Sequence, residues 1–242
     1  MSGHSKWANI KHRKGKSDAQ RGKIFTKIGR EIAIVVREGG PDPETNSKLR
    51  DVIAKAKSNN MPNDNIERSI KKASGETDVD NYEEIIYEGY GPGGIAIIVE
   101  VMTDNKNRTA SEIRHCFDKA GGNLGTNGCV SFMFEKKGVI IIKKTDSIDE
   151  NELMTEAIET GAQDLSAEED CFEILTEPGD FTNVRESLEK KGYELMSATV
   201  EMIPGTKTFL KNEKQIQQIE KLIDKLEDLD DVQNVYDNWE RE

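Results

Sequence analysis

Between the turn signals Lys137-Gly138 and Pro204-Gly205, the apolar residues switch repeatedly between a two-residue and a 3.6-residue period. The order is strand 138–143, helix 149–160, strand 163–167, strand 171–176, helix 180–191, strand 193–203. That is βαββαβ, the split-βαβ or ferredoxin-like order. It ties one stretch of the chain to a narrow set of sheets and leaves both flanks to be explained.

On the N-terminal flank, Phe25, Ile28, Ile32 and Val35/Val36 repeat at helical spacing, and Gly39-Gly40 stops the helix. Asp42-Pro43 is read as the start of a second helix, Asp as N-cap and Pro in the first turn, with Leu49, Val52, Ile53 and Ala56 inward. Pro62 opens a third helix carrying Ile66, Ile70 and Ala73. Three helices with one apolar face each make a small bundle. After the polar linker 75–81, strands 82–90 and 95–102 flank the turn GYGPGG (89–94) as a hairpin. Helix 107–120 and a strand at 130–134 follow. This middle ββαβ segment lacks a closing helix and strand. Ile216, Ile219, Leu222 and Leu226, then 232–236, supply them.

The predicted fold is therefore α+β, with an N-terminal three-helix domain, a middle α/β domain, and a ferredoxin-like domain inserted into the middle one. The predicted boundaries are 1–75 for the basic arm and bundle, 76–135 with 206–242 for the middle domain, and 136–205 for the insertion. A chain of 242 residues suits two or three small domains. No run approaches the ~18 apolar residues of a membrane helix. The N-terminus lacks the apolar stretch of a secretory signal. Cys116, Cys129 and Cys171 form no C-x-x-C, so neither a disulfide framework nor a zinc site is expected and a cytoplasmic protein is. His4, His12 and His115 show no metal-ligand spacing, and no cofactor is expected.

Charge is graded along the chain. Residues 1–75 hold 17 basic and 8 acidic side chains, net +9. Residues 76–144 are net −3 and residues 145–242 net −18, giving −12 in all. One end of such a chain suits a polyanion while the other repels it. In the first 30 residues, Lys6, Lys11, Arg13, Lys14, Lys16, Arg21, Lys23, Lys27 and Arg30 face a single acid, Asp18. They can neutralise phosphates and release counterions, and Trp7 adds a face for stacking. A solvated tail with no specific role is the plainer alternative.

A second candidate contact is TDNKNRTASEIR (103–114), where Lys106, Arg108 and Arg114 lie near a helix N-terminus able to hold a phosphate. Ordinary capping by Asn107 or Thr109 accounts for it equally well. GYGPGG lies between strands, where a dinucleotide site needs strand, loop and helix, so a hairpin turn is expected. Gly122-x-x-Gly125 offers either a surface for close backbone approach or a helix-capping loop. Catalytic groupings are missing. Glu83/Glu84, Glu168/Glu169/Asp170 and Asp228/Asp230/Asp231 read as solvated faces. Adjacent His115 and Cys116 diverge by about 100° on a helix and cannot act as base and nucleophile. Cys129 is read as a small core residue on a strand.

The opening GHSKW-x-x-I-K-H-x-K (3–14), then D-x-x-R-G-K-x-F-T-K (18–27), resembles the YebC/PmpR family. YEGYGPGG (87–94), DNKNRT (104–109) and GGNLGTNGCVSFMFEKKG (121–138) are similar to its other landmarks, so the resemblance runs nearly the full length. Cys129 stands where Ser is usual, and Phe132 where Trp is. The resemblance implies the three-domain layout above and no enzymatic activity. It implies either a transcriptional regulator that binds promoter DNA or a translation factor acting on ribosomes; a mitochondrial relative is a translational activator for cytochrome oxidase subunit I. It further implies contacts by Lys6, Trp7, Lys11, His12, Lys14, Arg21, Lys23 and Lys27. The expected partner is thus nucleic acid, DNA or ribosomal RNA, with the arm as its site. Charge layout favours RNA mildly; the family designation favours DNA.

Overall fold

The computed structural model describes residues 18–75 and 82–241. Helices α1 (Asp18–Gly39), α2 (Ser47–Ser58) and α3 (Asn63–Ser74) pack their apolar stripes around Ile28, Ile32, Val36, Leu49, Ala56 and Ile66. The expected start of α2 at Asp42-Pro43 is corrected. Residues 42–45 form a turn, and Asn46 is the N-cap. Its Oδ1 accepts from the Leu49 amide at 3.0 Å, while its Nδ2 donates to the Val35 carbonyl at 2.8 Å and the Gly40 carbonyl at 2.9 Å. An amide side chain serves both the end of α1 and the start of α2, whereas a carboxylate only accepts.

Strands β1 (Glu83–Tyr90) and β2 (Ala96–Thr103) pair antiparallel, Glu83 opposite Thr103 and Tyr90 opposite Ala96. Gly93 in their turn has φ +74°, and a side chain there would run into Leu210. After α4 (Lys106–Ala120) comes a two-residue strand, β3 (Asn123–Leu124), which pairs with β1. The strand expected at 130–134 is absent. Residues Ser131–Met133 form a 3-10 turn, and β4 (Phe134–Lys143) starts where that strand was to end. The cause is Glu88. Its carboxylate accepts from the amides of Gly128 (2.7 Å), Val130 (2.9 Å) and Ser131 (2.8 Å), which a ladder would otherwise use. Cys129 accordingly sits in this loop rather than on a strand.

Beyond β4 run α5 (Glu150–Thr160), β5 (Ala162–Ala167), β6 (Cys171–Thr176), α6 (Phe181–Lys190) and β7 (Leu195–Pro204). Their sheet has the order β5-β6-β4-β7 and is antiparallel throughout, the ferredoxin-like arrangement. Ile140, Ile142, Phe172 and Ile174 meet Leu153, Val184 and Leu188 of the two helices. Gly138 lies inside β4 and is no turn signal; a Cβ there would strike Thr176 and Phe181. The chain then returns through β8 (Thr208–Phe209), α7 (Glu213–Asp228), β9 (Val232–Asp237) and β10 (Trp239–Glu240). β9 completes a second sheet, β3-β1-β2-β9, and α4 and α7 cover its Ile97, Val99 and Val101 face. β8 and β10 pair in parallel over two residues, too few to show a period in the sequence. The architecture is α+β: a three-helix domain, a middle α/β domain, and a ferredoxin-like domain inserted between β3 and α7.

Candidate nucleic-acid interface

Lys6, Trp7, Lys11, His12, Arg13, Lys14 and Lys16 lie outside the described residues. Arg21, Lys23, Lys27 and Arg30 are on α1, and the last three share one face through spacings of four and three. That face meets the C-terminal end of α7, where carbonyls lack helical partners and the dipole is negative. Lys23 Nζ donates to the Asp228 carbonyl and to its Oδ1, both at 3.1 Å. Lys27 Nζ donates to the Glu227 carbonyl at 2.8 Å. Arg30 Nη1 reaches the Asp230 carbonyl at 2.6 Å, Asp231 Oδ1 at 2.8 Å and the Met102 carbonyl at 3.2 Å. The Arg30 guanidinium also lies 5.2 Å from the centre of the Tyr82 ring. The basic face of α1 therefore joins the helical domain to the acidic end of the chain.

The outer pair contributes little. Lys23 and Asp228 are 44% and 71% exposed, and water screens such a bridge. Asp228→Ala is expected to move the thermal midpoint by less than about 2 °C in calorimetry. A much larger drop would show that this pair holds the docking.

The inner partner is different. Asp231 is 4% exposed, not part of a solvated run. Besides Arg30, it accepts from Arg108 Nη2 at 2.7 Å, the Thr109 hydroxyl at 2.7 Å and the Thr103 hydroxyl at 3.1 Å. Burial pushes its carboxyl up, but the hydrogen bonds from Arg108, Thr109 and Thr103 more than offset this and hold it below the ordinary 3.8. The DNKNRT motif (104–109) thus builds a structural knot. Its N-cap is Asn105, whose Oδ1 accepts from the Arg108 amide at 3.1 Å, instead of Asn107 or Thr109. Lys106 pairs with Glu83 at 2.5 Å, and Arg108 also with Asp104 at 2.9 Å. Arg114 is on the exposed side of α4. Gly121, with φ +79°, caps α4, which is the helix-capping reading of that loop.

Asp231 escaped the sequence reading because nothing in a local charge run separates a buried carboxylate from its solvated neighbours, and Glu88 because its partners, the amides of Gly128, Val130 and Ser131, lie 40 to 43 positions away. Among the described residues, no three His, Cys, Asp or Glu side chains converge as metal ligands would. No helix among them is long and apolar enough to cross a membrane.

Two family models match the chain: "TACO1/YebC protein N-terminal domain" over residues 5–76 and "TACO1/YebC second and third domain" over residues 82–239. A relative from Acetivibrio thermocellus, named "Probable transcriptional regulatory protein", is 68% identical over 239 residues, spanning 99% of each chain. One of the same name from Caldicellulosiruptor saccharolyticus is 61% identical over all of both chains. The crystal structure of a conserved hypothetical protein from Aquifex aeolicus superposes with a TM-score of 0.82 at 48% identity, covering 93% of this chain and 92% of that one. With both halves matched and relatives similar from end to end, the chain belongs to the TACO1/YebC family.

Proposed function

We propose that the protein is a nucleic-acid-binding regulator of gene expression in the cytoplasm, acting on DNA as a transcriptional regulator. Residues 1–75 carry the contact, with Lys6, Trp7, Lys11, His12, Arg13, Lys14 and Lys16 of the arm on phosphates and bases. The observation that carries this reading is the charge segregation, +9 over residues 1–75 against −18 over residues 145–242. The relatives' name, probable transcriptional regulatory protein, supports the regulatory role.

A second reading is a ribosome-associated translation factor that binds RNA through the same arm. One observation favours it: Lys23, Lys27 and Arg30 of α1 are engaged with the end of α7, which leaves that helix face no free run of cations for a DNA major groove. The test is a pair of measurements. Lysate is sedimented at low and high salt, and promoter-fragment binding is measured with competitor DNA. The variant replaces Lys11, Arg13, Lys14 and Lys16 by Ala. Losing four phosphate contacts is expected to reduce the slope of log affinity against log salt for duplex binding by about 3.6. Sequence-selective duplex binding lost in the variant supports the DNA reading, and ribosome co-sedimentation lost in it supports the RNA reading. Wild-type protein blank in both assays would sink the nucleic-acid reading as a whole.

A further inference from the structure

An adjoining face of α1, which shares Arg30 with the basic face, borders a groove of about 380 Å³ against α3, lined among others by Phe25, Arg30, Arg68, Ser69, Lys72 and Tyr82. Among the described residues, three cations line it, one of them the Arg30 already paired with Asp231, and no carboxylate does, in a chain with 46 acids and 34 bases. The contrast with the larger cleft, about 1390 Å³, is direct. That cleft mixes carboxylates, Glu31, Glu38, Glu84, Glu100 and Glu201 among others, with cations such as Lys48, Lys55 and Lys136. Burial, then repulsion from Glu38 and Glu100, pushes the Glu84 carboxyl up.

Arg68 and Lys72 are exposed and stand four residues apart on α3, which stacks them on one side of the helix. Gly29 lies on the groove wall in the middle of α1. Its conformation does not demand glycine, and a Cβ there would meet only Ser69 Oγ, at an ordinary 3.8 Å. Glycine in a helix interior costs about 1 kcal/mol relative to alanine. What it preserves here is open space. The volume sits at the lower end for a small-ligand pocket. Its lining combines two aromatic rings with cations, the combination that holds a stacked base and its phosphates.

We propose that the α1–α3 groove takes one nucleotide of a single-stranded nucleic acid, its base against Phe25 and Tyr82 and its flanking phosphates on Arg68 and Lys72. This rests on the nucleic-acid reading above and names where on the helical domain the polymer sits. A duplex keeps its bases stacked and paired, so an unpaired strand inserts one without the cost of breaking a pair.

The test uses the full chain and fluorescence anisotropy. The probes are a labelled 12-nucleotide single strand, as RNA and as DNA, the matching duplex, and adenosine monophosphate as competitor. Arg68→Ala with Lys72→Ala is expected to weaken single-strand binding about tenfold or more and to reduce its salt slope by about 1.4. Phe25→Leu keeps the apolar packing but removes the ring; it is expected to cost the single strand about fivefold or more and the duplex less than about twofold. Lys190→Ala with Lys211→Ala, a charge-matched control on exposed sites elsewhere, is expected to stay within about twofold. Unchanged single-strand binding by both groove variants, while the wild type binds, overturns the groove and leaves the nucleic-acid reading standing. An equal loss in the control, or an equal loss for the duplex, also overturns it; competition by the mononucleotide that Phe25→Leu weakens supports it. A wild type that binds no polymer overturns both.

Discussion

Asp231→Ala is expected to lower the unfolding free energy by about 4 kcal/mol, read as the loss of urea midpoint followed by circular dichroism. The side chain is nearly inaccessible and gathers two guanidinium groups and two hydroxyls. Its removal leaves the buried hydroxyls of Thr103 and Thr109 without their carboxylate and Arg30 with only carbonyls to face. Asp231→Asn keeps the volume and removes the charge, so it separates packing from electrostatics. The pH dependence has a fixed sign. The folded carboxyl lies below its ordinary value. Its contribution is therefore complete above the ordinary Asp range and is lost as pH falls through the folded value. Wild-type stability should fall on acidification below about pH 4, and Asp231→Asn should show a shallower acid limb. Equal acid limbs, or a loss below about 1 kcal/mol in Asp231→Ala, would remove Asp231 from its place as the knot between the helical and middle domains.

Glu88→Ala is the second large effect, a loss of about 3 kcal/mol. Glu88 is 5% exposed, and its carboxylate is the acceptor for three loop amides. Burial alone would raise its carboxyl, but the amides of Gly128, Val130 and Ser131 bring it below the ordinary value. Glu88→Gln still offers one acceptor oxygen and should lose about half as much. Amide hydrogen exchange gives the local readout: Gly128, Val130 and Ser131 should exchange faster in Glu88→Ala, while Ile140 in β4 keeps its protection unless unfolding is global. Unaltered exchange at those three amides would show that the loop holds its shape without the carboxylate.

The stripes Phe25/Ile28/Ile32 and Ile219/Leu222/Leu226 and the βαββαβ alternation were legible because each is a local period set by one packed face. The features that the sequence hid are long-range or bifunctional. Asn46 displaces Asp42 as the cap because its amide answers two helices at once. Gly138 looks like a turn but makes room for Phe181, 43 positions further along the chain. The basic character of the N-terminal segment was plain, but the commitments of its cations were not. Lys23, Lys27 and Arg30 find their partners 205, 200 and 201 positions away. No window of sequence contains both members of such a pair. Nothing in the sequence sets Arg68 and Lys72 apart; the packing of α1 on α3 places them in one groove with Phe25 and Tyr82.

The insertion between β3 and α7 also dictates an order of events when the chain is made. Synthesis proceeds from the N-terminus, and units fold as they become complete. The three-helix domain has all its residues once 74 has emerged, and the ferredoxin-like sheet once 204 has. The β1–β2 hairpin emerges early and α4 follows it directly, yet its β9 neighbour spans 232–237 and the second covering helix, α7, ends at 228. For well over a hundred residues of elongation, the apolar face of β2 has α4 but not α7 over it, and its edge waits for β9. The last strand of the sheet follows directly on Asp231, so one stretch, 231–237, both completes the middle sheet and locks the first domain onto it.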